Sequence, residues 1–143
     1  MPAISIERNF GDLSKIAKDL SDELNKGIKI VAKDIEQGIE GGGQFGRRFK
    51  RNHPITIENK GFDHPLKETG LMMNHNKMKY VKATKSKQVA QLAPNSERVD
   101  IAYNNDRGTK KIPSRPFWGI SDEAENKVML MMEKEITRRI DRA

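Results

Sequence analysis

A long stripe of aliphatic residues constrains the fold of this chain more than any other feature of its sequence. The stripe comprises Leu13, Ile16, Leu20, Leu24, Ile28, Val31, Ile35 and Ile39. Steps of three and four residues place these side chains along one face of a helix, which we expect to run from about Asp12 to Glu40. Gly27 lies inside it and costs about 1 kcal/mol relative to alanine, which favours a break or kink at that point. The glycines at positions 41–43 end the helix.

Three short segments beyond Pro65 are candidate strands: Lys77–Lys82, Lys87–Leu92 and Glu97–Tyr103. The last has the clearest pattern, because Val99, Ile101 and Tyr103 alternate with other residues as one buried face of a strand requires. The connections between the segments are short, so we predict a small antiparallel sheet of about three to four strands.

The last segment of the chain has the signals of a second helix. Ser121 can cap it, acidic residues follow at once, and arginines lie at the far end, where the helix dipole favours them. Its inward stripe comprises Ala124, Val128, Met131, Met132 and Ile136. The run Met129–Met132 is apolar throughout, and one surface cannot bury four consecutive helical residues. The helix is therefore enclosed within the subunit or meets another subunit, and we favour the second reading, with Met129 and Met132 as interface residues.

These elements predict an α+β fold in a single domain covering residues 1–143, with the C-terminal helix packed on the sheet. A stretch without periodicity, at about 41–65, separates the first helix from the strands. Compact domains seldom contain so long a loop unless it binds something or moves. We expect this loop to be mobile or ordered by a partner, and the alternative is an insertion without a role.

The same loop contains a basic cluster: Arg47, Arg48, Phe49, Lys50 and Arg51. The chain has a formal net charge of +7, which favours contact with nucleic acid or with acidic partners. The arginines and lysine could contact phosphates, and Phe49 could stack on a base. No helix-turn-helix, zinc-finger or RNA-recognition pattern accompanies the cluster, so a solvated basic loop is the competing interpretation.

Catalytic and cofactor-binding patterns are absent from the sequence. The chain has no cysteine, and its three histidines, His53, His64 and His75, match no metal-ligand spacing. The glycine-rich stretch at positions 41–46 follows a helix and lacks the Lys-Ser/Thr of a phosphate-binding loop. We therefore expect no enzyme activity, no cofactor and no metal. The first ten residues lack the features of a signal peptide and no apolar run is long enough to span a membrane, so we expect no membrane contact.

The segment preceding the last helix contains a proline-bounded aromatic motif, Arg115-Pro116-Phe117-Trp118. Pro113 and Pro116 fix their own φ angles and favour extended backbone in the residues before them, so the chain enters the helix along a defined path. Phe117 and Trp118 either close the core or contact a neighbouring subunit. Arg115 could hold a carboxylate with its planar guanidinium, fixing the loop or bridging two subunits, whereas the alternative is an ordinary surface arginine. All three are candidate interface residues.

The stretch Ile112–Glu123, IPSRPFWGISDE, resembles the signature near the carboxyl end of the phage virion-morphogenesis, or tail-completion, family, which typically reads I-P-A-R-P-F-L-G-L-S. Leu66–Leu71, LKETGL, is similar to the family's L-x-x-T-G-x-L segment. The order of elements also agrees over most of the chain. Two departures stand out: Asn104–Gly108 replaces a His-Gln-x-Gly-like segment of many relatives, and the central loop lacks its usual tryptophan.

The resemblance implies a structural virion protein of a tailed bacteriophage, a tail-completion or neck subunit in a ring at the head–tail junction. It implies a homo-oligomer, by family likeness a hexamer, that contacts other neck, connector or tail-tube proteins and touches genomic DNA only non-specifically. The expected location is the neck or tail end of the virion, and the host cytoplasm during assembly. A tail terminator ring protein is the closest alternative, and a stand-alone basic nucleic-acid-binding protein is the alternative from another class.

Overall fold

The computed structural model describes residues 2–7, 19–51, 78–95, 99–111 and 113–142. Its strands are β1 (Ile4–Glu7), β2 (Gly43–Gln44), β3 (Arg47–Arg48), β4 (Lys79–Val81) and β5 (Val89–Ala93). Its helices are α1 (Ser21–Gly41), α2 (Val99–Arg107) and α3 (Asp122–Arg142). The predicted fold class is confirmed, since the protein combines long helices with a small antiparallel sheet, and its C-terminal helix packs on that sheet.

The main sheet has three antiparallel strands in the order β1-β5-β4, so β5 is central. Ile4 pairs with Leu92, which pairs on its other side with Tyr80. Because side chains alternate along a strand, this row and Ala90 share one face of the sheet, and Ile4, Ala90 and Leu92 are buried there. The predicted strands at Lys77–Lys82 and Lys87–Leu92 correspond to β4 and β5. No pattern in the sequence indicates β1.

The aliphatic stripe of α1 supplies most of the core. Its fully buried members are Leu24, Val31, Ile35 and Ile39, and the burial of each such side chain stabilises the fold by about 1.5–3 kcal/mol. Asp19 and Leu20 lie before the first helical turn, so α1 begins later than the predicted Asp12, and residues 8–18 lie outside the described part of the chain. The helix ends as predicted at the glycine run, because Gly42 adopts a left-handed conformation (φ 77°) that terminates it.

Gly27 does not break α1. A Cβ atom at this position would lie 3.3 Å from the Ile6 side chain of β1 and 3.3 Å from that of Val128 in α3. The missing side chain therefore lets the sheet and the last helix approach α1 at one point. The break that helix propensity favours is absent, since α1 continues as one helix from Ser21 to Gly41. Tertiary packing outweighs the propensity of a single glycine at this position.

The strand predicted at Glu97–Tyr103 is wrong. Residues 99–107 form α2, in which Ala102 is buried while Val99, Ile101 and Tyr103 are about 40% exposed. The guanidinium of Arg107 lies 5.1 Å from the centre of the Tyr103 ring, one helical turn away, and such a cation–π contact favours the helix. Gly108 (φ 80°) follows the helix and donates its N–H to the Asn104 carbonyl at 2.8 Å. The contact between Tyr103 and Arg107 and the helix end at Gly108 together favour a helix over the strand that the alternation of apolar residues predicts.

Part of the predicted loop is ordered by the chain itself. β2 and β3 form a two-stranded antiparallel hairpin, residues 43–48, that follows α1 directly. The remainder of that loop beyond Arg51 lies outside the described residues. So do the Leu66–Leu71 segment and the histidines at positions 53, 64 and 75.

Candidate assembly surface

Arg115 is buried, with 5% of its area exposed, and its guanidinium joins segments from three parts of the fold. Its Nε donates to the Lys50 carbonyl at 2.8 Å, and one terminal nitrogen donates to the Arg51 carbonyl at 2.9 Å. The other terminal nitrogen lies 3.4 Å from the Asn105 Oδ1, and the Arg115 N–H donates to the Asn105 carbonyl at 2.7 Å. The guanidinium thus ties the proline-bounded segment to the end of α2 and to the chain beyond β3.

Asp106 anchors the next residues of the same segment. Its Oδ1 accepts the backbone N–H groups of Phe117 and Trp118, each at 3.0 Å, and its own carbonyl accepts the Ser114 hydroxyl at 2.8 Å. Hydrogen bonds from backbone N–H groups to a carboxylate are stronger than hydrogen bonds between neutral groups. Asp106 and Arg115 together fix the path along which the chain enters α3. The prolines in the sequence indicated a fixed path, but not the groups that hold it.

The two aromatic side chains of the motif have different environments. Phe117 is buried in the main core and meets Trp118 edge-on, with ring centres 6.5 Å apart. Trp118 is half-buried and its indole N–H donates to the Pro2 carbonyl at 3.1 Å. Phe117 therefore closes the core, whereas Trp118 keeps part of its ring at the surface beside the first described residues.

The β2–β3 hairpin is held rigidly at its base and at its tip. Phe45 (φ 55°) and Gly46 (φ 73°) both have positive φ, as a two-residue type I′ turn requires. At the base, the Gln44 amide donates to Asp34 at 2.9 Å, and the same carboxylate oxygen accepts the Ser121 hydroxyl at 2.8 Å. The Phe45 ring packs against Gly119, where an added Cβ would lie 3.1 Å from it. The hairpin is therefore anchored to α1 and to the start of α3.

The basic cluster divides into one core residue and four surface residues. Phe49 is buried in the main core, so the expected stacking of this ring on a base is excluded by its position. Arg47, Arg48, Lys50 and Arg51 are exposed. Among the described residues, neither Arg47 nor Arg48 has an ion-pair or hydrogen-bond partner for its guanidinium. A fixed hairpin thus exposes two cations that no described residue neutralises.

The apolar run of α3 is split between the core and the surface. Met132 packs in the core with Val128, so this residue is not available for the subunit contact assigned to it from the sequence. Met129 and Leu130 are 63% and 65% exposed, the two largest such values among the exposed large hydrophobic side chains of the described residues. In the described part of the chain, the large apolar side chains that α3 exposes are therefore Met129, Leu130 and, nearer its end, Ile140.

A groove of about 810 Å³ runs beside Leu130 and Met131, between α3 and the start of α1. At its end, Glu135 accepts hydrogen bonds from Arg138 and Arg139, which lower the pKa of this carboxyl to about 2. Arg139 also donates to the Asp19 carbonyl at 2.5 Å, just ahead of α1. Hydrogen bonds from the Ser21 hydroxyl and N–H, and from the Gln88 amide, hold the pKa of Asp19 below its usual value. These contacts join the end of α3 to the start of α1.

The described residues contain no cluster of three or more His, Asp or Glu side chains that could hold a metal ion. Within the same ranges, no helix is both long and apolar enough to cross a membrane. No family model, curated protein or solved structure matches this chain. The likeness to the virion-morphogenesis family therefore rests on the motif residues and on the order of elements that the sequence indicates.

Several side chains that organise this surface were not singled out in the sequence. Asp34, Gln44, Asn105 and Asp106 each bind a segment distant in sequence. All four are polar residues whose partners are brought near by the tertiary fold.

Proposed function

We propose that this chain is a structural virion protein of a tailed bacteriophage, a tail-completion or neck subunit that works in a ring at the head–tail junction. The observation that carries the proposal is the exposed pair Met129 and Leu130, in the middle of a helix that buries Ala124, Val128 and Met132. Apolar side chains at this exposure are typical of association surfaces when they cluster. Methionine is well suited to such contacts because its side chain is flexible and polarisable.

The motif that carries the family likeness also supports a structural role. Arg115, Phe117 and Asp106 are all engaged in holding the entry to α3. The motif thus presents α3 at a fixed angle to the sheet, which a subunit needs if every copy is to offer the same surface. Ring assembly requires two different surfaces on each subunit, joined head to tail. A tail terminator ring subunit would meet the same requirement and is the closest alternative.

The test of the ring proposal is the double substitution Met129→Glu/Leu130→Glu. Both side chains are exposed, so we expect a folded protein with an unchanged far-ultraviolet circular dichroism spectrum. It should sediment as a monomer at concentrations where the wild type forms a ring. Ile101→Glu is the matched control, because Ile101 is another exposed aliphatic residue, on α2.

A wild-type protein that remains a monomer at every concentration and is missing from intact particles would contradict the ring proposal. A double variant that assembles as the wild type does would contradict the assignment of Met129 and Leu130 to the interface.

A stand-alone nucleic-acid-binding protein is the second candidate, favoured by the exposed guanidiniums of Arg47 and Arg48, which have no ion-pair partner among the described residues. Binding of generic duplex DNA that weakens steeply with salt would support it, because neutralised phosphates release counterions. The absence of duplex DNA binding by the isolated protein at low salt would exclude it.

A further inference from the structure

One face of α3 is acidic and apolar in a chain that is strongly basic as a whole. Glu125, Met129, Glu133 and Ile140 are exposed and spaced by four, four and seven residues, which places them on one side of the helix. We call these four residues the acidic face. It contains no lysine or arginine, although the chain has a net charge of +7. Within the described residues, neither Glu125 nor Glu133 forms an ion pair.

The β2–β3 hairpin has the opposite character. Arg47 and Arg48 project from it without ion-pair partners among the described residues, and Phe45 at its tip is 38% exposed. The hairpin is fixed through Gln44 and through the contact of Phe45 with Gly119. A surface that is already ordered loses little conformational entropy when it binds, so such a hairpin is suited to docking.

We propose that the acidic face of one copy receives the β2–β3 hairpin of the next copy. This inference rests on the ring function proposed above and names the two surfaces that meet. On the acidic face, Met129 lies beside the carboxylates of Glu125 and Glu133. On the hairpin, Phe45 lies beside the guanidiniums of Arg47 and Arg48. The two surfaces carry opposite charge, and every copy has both of them, as a head-to-tail contact requires.

A second copy fits these surfaces better than nucleic acid does. Phosphates would match the hairpin but would be repelled by Glu125 and Glu133. Copies of a protein with net charge +7 repel one another at long range, so a local region of negative charge favours their association. The acidic face supplies such a region. Met129 and Leu130 alone are too small for a stable contact, since specific interfaces bury at least about 1,000 Å², and the charged neighbours enlarge the surface.

Charge reversal of each surface separately tests the pairing. One variant is Arg47→Glu/Arg48→Glu, and the other is Glu125→Arg/Glu133→Arg. In each, two like-charged surfaces face each other, so the self-association constant should fall by about 100-fold or more. All four side chains are exposed, so both variants should keep the wild-type circular dichroism spectrum and melting temperature. Lys110→Glu/Lys111→Glu, a basic pair elsewhere on the surface, should assemble as the wild type does.

Mixing the two variants gives the decisive result. The reversed hairpin of one variant is then complementary to the reversed face of the other, and the two unchanged surfaces are complementary as well. An equimolar mixture should therefore form closed assemblies of alternating copies, measured by sedimentation velocity. Two folded variants that stay monomeric when mixed would overturn the pairing, as would variants that assemble on their own.

The outcomes separate this inference from the ring proposal. If the wild type assembles and Met129→Glu/Leu130→Glu does not, while both charge reversals assemble normally, the ring proposal stands and the pairing is wrong. If Arg47→Glu/Arg48→Glu assembles normally but loses binding to a generic duplex DNA, the hairpin is a nucleic-acid surface. A wild type that never associates excludes the ring proposal and the pairing together.

Discussion

Arg115 shows what one side chain contributes to the organisation of this protein. Lysine carries the same charge but has a single nitrogen, whereas the planar guanidinium reaches the Lys50 and Arg51 carbonyls together. Those carbonyls belong to the segment that follows the hairpin, and Asn105 belongs to α2. Because Arg115 is buried, any of these acceptors that lost its donor would have little access to water.

The substitution Arg115→Lys should therefore destabilise the protein by about 1–3 kcal/mol, the usual cost of a buried polar group left without its partner. Chemical denaturation monitored by circular dichroism measures this loss. Arg48→Lys makes the same chemical change at an exposed position and should alter the free energy of unfolding by less than about 0.5 kcal/mol. Equal stabilities of the two variants would show that the guanidinium contributes nothing that a lysine cannot supply.

At the scale of elements, the junction between α1 and the β2–β3 hairpin depends on Gly38. A Cβ atom there would lie 2.1 Å from the Gln44 Oε1 and 3.0 Å from the Gly43 carbonyl oxygen. The Gln44 side chain is buried and bound to Asp34, so it cannot move aside without losing that hydrogen bond. The glycine lowers helix propensity but lets the hairpin fold back onto α1.

Gly38→Ala should consequently destabilise the protein, by about 1–2 kcal/mol, although alanine is the better helix former by about 1 kcal/mol. Gly41→Ala is the matched control, because nothing lies within 4 Å of a Cβ at the end of the same helix. We expect Gly41→Ala to be neutral or stabilising in thermal denaturation. The double variant Gly38→Ala/Gln44→Ala should recover part of the loss. Stabilisation by Gly38→Ala itself would contradict the close approach.

Sequence patterns predicted the elements whose burial is periodic and missed those stabilised by distant partners. The stripe of α1 and the capped start of α3 were evident because local spacing and Ser121 encode them. β1 has four residues and is stabilised by pairing with β5, some 85 residues later, and no local pattern encodes that contact. The alternation of Val99, Ile101 and Tyr103 indicates a strand, but these residues belong to α2, which leaves them exposed.

The candidate interaction residues divide in a similar way. Exposure of Arg47, Arg48 and Met129 agrees with their predicted place at a surface. Burial of Phe49 and Met132 does not, because a run of apolar or mixed residues does not show which member faces the core until the neighbouring elements are in place. The sequence shows which residues could take part in an interaction, but only the packing of the fold decides which of them are exposed.

At the scale of the whole molecule, hydrogen bonds join the C-terminal part of the chain to its N-terminal part. Trp118 binds the Pro2 carbonyl, and Arg139 binds the Asp19 carbonyl and lies 3.9 Å from Glu23. Glu135 holds Arg139 in position through a hydrogen bond of 2.9 Å and also accepts one from Arg138. A carboxylate on the last helix thereby fixes the cation that binds the region ahead of the first helix.

This arrangement predicts a defined loss of stability in acid. Hydrogen bonds from Arg138 and Arg139 lower the pKa of Glu135 from an ordinary value of 4.5 to about 2 in the folded protein. A carboxyl with a lowered folded-state pKa contributes stability that is fully present above its unfolded-state pKa and disappears as pH falls through the folded-state value. The contribution of Glu135 should therefore be complete above about pH 5 and decline between about 4.5 and 2.

The variant Glu135→Gln isolates this contribution, because glutamine keeps the size of the side chain but carries no charge. In urea denaturation series across pH, the variant should be less stable than the wild type at pH 6, and the difference should shrink steadily below pH about 4.5. Glu133→Gln is the control, since the Glu133 carboxylate forms no ion pair with any described residue. A stability difference for Glu135→Gln that stays constant from pH 6 to pH 3 would show that Glu135 acts through packing and not through its charge.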